Sequence, residues 1–137
     1  MKILILANHR LNRSPGQRFR IEQYIDYLKD NGVEVDFSYY ISEKDDKIYY
    51  AKVKYLKKLF IVVKSFCKRI RDIRNITDYS LVYVYREAIM LGTVYFEKRI
   101  AKNTKLVYDF DDSIWLNDVS LGNRELKWLK NPKKTAK

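Results

Sequence analysis

One cysteine, one histidine and no apolar run longer than five residues set the first limits on this 137-residue chain. Cys67 has no internal partner, so no disulfide staples the fold, and nothing argues for an oxidising compartment. With His9 as the sole histidine, a zinc site built mainly from Cys and His is excluded. The apolar run at residues 3–7 stops at Asn8-His9-Arg10, short of the ~7–15-residue core of a secretion signal. Leu59-Phe60-Ile61-Val62-Val63 is equally far from the ~18 residues that span a bilayer. These absences lead us to expect a cytoplasmic protein. A G-x-G-x-x-G turn and a Walker loop are missing as well, which removes the usual dinucleotide and ATP fingerprints.

What is present is a core-forming share of apolar residues, 47%, alongside 33% charged residues. The length matches the ~100–150 residues of one ordinary domain. Lys and Arg number 28 against 17 Asp and Glu, a net charge of +11 that draws the surface toward polyanions.

Strand-like and helix-like periods alternate along the chain, the pattern of an α/β domain with a parallel sheet. Residues 2–7 form a continuous apolar strand of the kind buried on both faces. Ser14-Pro15-Gly16-Gln17 reads as a helix start, with Ser as cap, Pro in the first turn and Gln three residues on. Ile21, Tyr24, Ile25 and Leu28 then keep one helical stripe, and Asn31-Gly32 closes it. Residues 33–37 alternate as a more exposed strand, and 42–47 read as polar loop. A long basic helix is predicted over about 48–75, with Leu56, Leu59, Phe60, Val63, Phe66, Cys67, Ile70 and Ile73 as its buried stripe. A strand at 80–85, a helix at 88–102 and a strand at 105–110 complete the pattern. Right-handed crossovers place four parallel strands side by side with helices on both faces and ligands at their carboxyl ends. Those ends carry three polar clusters: residues 8–20, Arg86-Glu87, and 109–112.

Each cluster admits more than one chemistry. Gly16 at a helix start favours an anion, and Arg18 and Arg20 add forked donors for phosphate oxygens; a capped helix with solvated arginines fits the same residues. Asp109, Asp111 and Asp112 repel one another unless a cation or donors compensate, so they read as functional. An Asp-x-Asp pair can hold a divalent cation against a nucleotide diphosphate. The alternative of a phosphatase nucleophile, Asp109 attacking with Asp111 as acid/base, needs downstream motifs, and only 25 residues follow Asp112. Between Lys52 and Arg74 stand nine Lys or Arg and one acid, a helix able to lie on anionic lipid or to contact nucleic-acid phosphates. An ordinary sheet-covering helix with a basic outer face also fits. The twelve tyrosines read as sheet and core packing rather than base stacking, His9 as a loop residue that can also move a proton, and Cys67 as inert core.

The chain resembles the N-terminal half of GT-B glycosyltransferases of the retaining family 4, or group 1, type. The carriers are the opening strand through Asn8, Ser14-Pro-Gly-Gln-Arg-Phe-Arg20-Ile21, Val82-Tyr-Val-Tyr-Arg86-Glu87 and, above all, Leu106-Val-Tyr-Asp-Phe-Asp-Asp-Ser-Ile-Trp115. The resemblance implies a Rossmann-like acceptor-side domain over residues 1–116. A tail at 117–137 leads toward a second, donor-binding domain that the sequence does not contain. It further implies Gly16, Arg18 and Arg20 at the donor diphosphate, and Asn8, His9, Arg86, Glu87 and Asp109 around the acceptor. Asp111 and Asp112 fall beside the reacting sugar, Asp111 where many relatives carry histidine. It implies a nucleotide-sugar substrate, no resident metal or cofactor, and a glycan or lipid-linked acceptor. Residues 52–74 then dock on the anionic inner face of the membrane, with no specific nucleic acid as partner. On this reading the chain alone is expected to be inactive. A non-catalytic basic module binding anionic membrane or nucleic acid is the rival expectation.

Overall fold

The computed structural model describes residues 1–50, 55–89 and 93–110. Four strands form one sheet: β1 (Lys2–Ala7), β2 (Glu34–Tyr39), β3 (Leu81–Tyr85) and β4 (Lys105–Asp109). Their spatial order is β2-β1-β3-β4, every pair parallel. β1 is central, and Ile3–Ala7 are all buried, as its unbroken apolar run requires. Leu6 pairs with Ser38 on one side and Val84 on the other, and Tyr85 pairs with Asp109, so all four strands end along one edge. The chain turns from β1 to β2 in one direction and reaches β3 in the other. That reversal makes the gap between β1 and β3 the topological switch point, where open α/β sheets take their ligands.

Alternate side chains of the strands feed two cores. On one face Ile5, Val35, Phe37 and Tyr83 pack against Ile21 and Ile25. On the other, Leu4, Leu6, Val82 and Val84 lie under Ile41, Ile73, Phe96 and Ile100. The fold is thus an α/β Rossmann-like sheet with helices on both faces, as expected.

Several helices differ from the sequence reading. The first is broken into α1 (Pro15–Arg20), a 3-10 turn at Glu22–Tyr24 and α2 (Ile25–Asp30). Ile21 leaves helical geometry at φ −138°, and Tyr24, expected on the buried stripe, is exposed. Its end is as expected: Gly32 takes φ +75°, its N–H bonds the Lys29 carbonyl, and the Val33 N–H reaches back to Leu28. The polar stretch read as loop forms α3 (Glu43–Tyr50), capped by the Ser42 hydroxyl on the Asp45 N–H. The helix expected to start at residue 88 is α5 (Tyr95–Asn103), with Ala88 and Ile89 buried ahead of it.

The largest departure is α4 (Tyr55–Asp72), which turns most of its expected stripe away from the sheet, while Phe66 and Ile73 pack on the core as expected. Leu56, Leu59, Phe60, Val63 and Ile70 are between 41% and 77% exposed, and Cys67 is exposed too. Ile61, Ser65 and Arg69 face inward instead. The reason is the Arg69 guanidinium, 1% exposed, which donates to the carbonyls of Ala88 (2.7 Å) and Ala7 (3.0 Å) and to Ser38 Oγ (3.3 Å). Asp72 lies 3.4 Å from it and also accepts from Ser38, so the buried charge has a counter-ion and a network. Burial pulls the guanidinium below its usual pKa, with Asp72 opposing that pull.

Removing one member of such a pair leaves the other buried and unpaired. Arg69→Met is therefore expected to lower unfolding free energy by about 3 kcal/mol in a urea titration. A midpoint equal to that of the parent would mean that Arg69 anchors nothing.

Candidate functional site

The polypeptide leaving β1 at the switch point is held by one buried amide. Gln17 was expected to complete a capping box with Ser14, but Ser14 makes no side-chain cap. Gln17 Oε1 instead accepts the His9 N–H at 3.2 Å, while its Nε2 donates to the carbonyls of His9 (2.9 Å) and Arg10 and to Glu22. A loop of residues 8–14 thereby takes a fixed shape in front of α1. Asn12, at φ +64°, tolerates the left-handed region through its short polar side chain, and its N–H donates to Glu22 at 2.7 Å. From the far side of the loop Asp46 of α3 receives Arg13 at 2.8 Å and Arg10 at 3.4 Å.

Asn8 and His9 form one lip of the crevice. Asn8 is buried, its carbonyl accepts the Ile41 N–H, and its Oδ1 has no hydrogen-bond partner among the described residues. His9 is half-buried and held neutral: burial lowers its pKa, Arg10, Arg13 and Arg86 reinforce that, and Asp46 alone opposes it.

Arg86 and Glu87 form the other lip. Arg86 adopts φ +66°, an unfavourable conformation for a residue with a side chain. Its N–H bonds the Asp109 carbonyl at 2.7 Å, and its own carbonyl accepts the Tyr108 hydroxyl. The Glu87 N–H closes a tight turn on the Tyr85 carbonyl at 2.9 Å. Just behind, the buried Glu97 carboxylate accepts the Ala88 N–H at 2.8 Å, while its Oε2 has no partner among the described residues.

The third cluster meets the first through Arg20. Its Nη1 reaches Asp109 Oδ1 at 3.2 Å, and the Tyr83 hydroxyl donates to the other oxygen of the same carboxylate. The hydroxyl of Tyr83 is correspondingly hard to ionise, through burial first and the Asp109 carboxylate second. Arg20 from α1 and Asp109 from β4 are thus brought together across the end of β3. Arg18 is exposed and stacks over the ring of Phe19 (5.5 Å), and Gly16 is half-buried in the first turn of α1. Asp111 and Asp112 lie outside the described residues, and so does the Asp-x-Asp metal reading that needs Asp111. Among the described residues no three His, Cys, Asp or Glu side chains stand together as a metal site.

Sequence reasoning missed Gln17 as a staple, Asp46 as the anchor of Arg10 and Arg13, and Glu97. The Ser42-x-x-Asp45 spacing is a capping signature that would have found α3 and with it Asp46. Glu97 carries no such signal, since its role depends on a turn nine residues earlier.

Compared with protein-family models, with curated proteins and with solved structures, the chain gives no match.

Two outcomes follow from this geometry. Gln17→Leu strands the His9 N–H and carbonyl, the Arg10 carbonyl keeping the Arg13 N–H, so a loss of about 1–3 kcal/mol in urea unfolding is expected. An unchanged midpoint would show that the loop keeps its shape without the amide. Burial raises the Glu97 pKa, so the unfolded chain releases this proton before the folded one does. The parent therefore loses stability as pH climbs from the ordinary carboxyl range through the raised value. The Tm of Glu97→Gln relative to the parent is expected to be flat below the ordinary carboxyl range and to rise above it, until the raised value is passed. A difference independent of pH would contradict a buried carboxylate.

Proposed function

We propose that this chain is the acceptor-side domain of a retaining glycosyltransferase of GT-B architecture, moving a sugar from a nucleotide-sugar donor to a glycan or lipid-linked acceptor. The observation that carries the reading is the Arg20–Asp109 ion pair across the carboxyl end of β3, which joins the phosphate-type cluster to the acidic strand end. Motif similarity alone does not require those two stretches to meet.

The residues divide the work by their chemistry. Arg20 is 47% exposed at its side chain and uses one nitrogen on Asp109, and its remaining N–H groups, which meet no partner among the described residues, suit a leaving diphosphate. Arg18 and the N–H groups near Gly16 add to the same positive field. Stabilising the departing diphosphate is the main electrostatic demand of such a transfer. Asn8 and His9 stand on the acceptor side, where neutral His9 can take a proton from an acceptor hydroxyl. Arg86 and Glu87 line the opposite lip, and Asp111 and Asp112 are assigned to the reacting sugar. The nucleotide-sugar is held by a separate donor-binding domain closing over this edge.

The test is release of nucleoside diphosphate by this domain joined to its donor-binding half, across a panel of nucleotide-sugars. Arg20→Ala is expected to lower kcat about 100-fold, as loss of one transition-state donor does, and Asp111→Ala to lower it as well. Parent-like turnover in both variants, or no transfer from any donor by a folded assembly, would overturn the reading.

A further inference from the structure

β4 is the outer strand of the sheet, and its outward edge has no strand beside it among the described residues. One bond settles which of its groups look outward. The Arg86 N–H donates to the Asp109 carbonyl at 2.7 Å, so Asp109 turns its backbone toward β3. Alternation turns Lys105 and Val107 the same way and points the N–H and C=O of Leu106 and Tyr108 away from the sheet. A five-residue edge without proline or register break is a template for another strand. Its side chains sort by face. Lys105, Val107 and Asp109 stand on the side of Tyr83, whose hydroxyl donates to Asp109, while Leu106 and Tyr108 pack on the opposite core. Val107, at the centre, is 40% exposed.

We infer that β4 is an interface between two copies of this chain, paired antiparallel about a twofold axis at Val107, so that two four-stranded sheets become one. Self-complementarity selects this occupant. A copy of Lys105–Asp109 read backwards against itself sets Lys105 opposite Asp109 at both ends, Leu106 opposite Tyr108, and Val107 opposite Val107. In that register the outward N–H and C=O groups of Leu106 and Tyr108 bond one another, and the partner's groups answer in the same way. The Val107 pair and both Lys–Asp pairs take the closer, non-hydrogen-bonded spacing, where side chains interact most. Asp109 accepts from Arg20 and Tyr83 and keeps further lone pairs for the partner's Lys105. The other edge of the sheet lacks this match: β2 carries Glu34 and Asp36, both held by Lys2, and offers no cation to a copy of itself. A contact of one short strand is small, and the net charge of +11 on each copy opposes it at long range, so the association is weak and reversible. This inference does not depend on the transferase reading, because its readout is mass and not turnover.

The experiment is sedimentation equilibrium of the chain at about 0.15 M salt, where a Debye length of ~8 Å screens the long-range repulsion. The mean mass is expected to climb from 16.5 kDa toward twice that value as concentration rises. Val107→Lys and Val107→Glu each set like charges face to face at the axis. Each alters one exposed side chain, so the dilute variants are expected to keep the parent Tm while self-association weakens about 10-fold. An equimolar mixture of the two variants is expected to dimerise again, because opposite charges then meet. Leu59→Ser with Phe60→Ser, on the outward face of α4, is expected to leave the dimer intact. A parent that stays monomeric up to about 1 mM would overturn the inference. So would a dimer that survives both Val107 variants, a mixture that remains monomeric, or a dimer that the α4 variant abolishes.

Discussion

The buried guanidinium of Arg69 is the constraint on which the rest of the structure turns. A charge with 1% of its surface exposed survives only where several acceptors converge, and the ends of β1 and β2 and the turn after β3 supply them. Ala7 offers a second lone pair beside the one taken by Tyr40, Ala88 offers its carbonyl, and Ser38 and Asp72 close the network. One side chain thus ties α4 to both sides of the switch point. It fixes which way the helix is rolled and, with it, which way the apolar stripe looks.

That roll has an energetic consequence. Five large apolar side chains left in water forgo about 1.5–3 kcal/mol each of the burial they would gain against a sheet. The inward face recovers only part of this through Ile61, the Phe66–Phe96 contact and the Arg69 network. A stripe of this size is uncommon on the surface of a small domain. The bulk of the core lies elsewhere, in the central strands and in the residues of α5 and of the segments flanking α4 that pack on them.

Much of the sheet was legible in the sequence because its signals are local. A continuous apolar run placed β1 at the centre, alternation placed β2 at the edge, and the remaining strands fell within a residue or two of where they are. The polar residues at the carboxyl ends include Asn8, His9, Arg86, Glu87 and Asp109, and the strand register brings the first four to the two sides of the switch point. What failed was the step from periodicity to orientation. Spacing finds a stripe on α4 but does not say whether it faces the sheet, and a single arginine with distant carbonyl partners turned most of it outward, leaving Phe66 and Ile73 on the core. Gln17 failed for a related reason: its amide was read against its neighbour Ser14, while its real partners lie in the preceding loop and at Glu22. The Arg20–Asp109 pair spans 89 residues and no local pattern announces it.

Cys67 gives the most direct test of this arrangement, since it is the one cysteine and it lies on the stripe that Arg69 turns outward. Reaction of the native chain with a maleimide, compared with the chain in denaturant, measures which way α4 is rolled. The account predicts that native Cys67 is labelled at nearly the rate of an unhindered thiol. Labelling that waits for global unfolding would place the stripe against the sheet and contradict it.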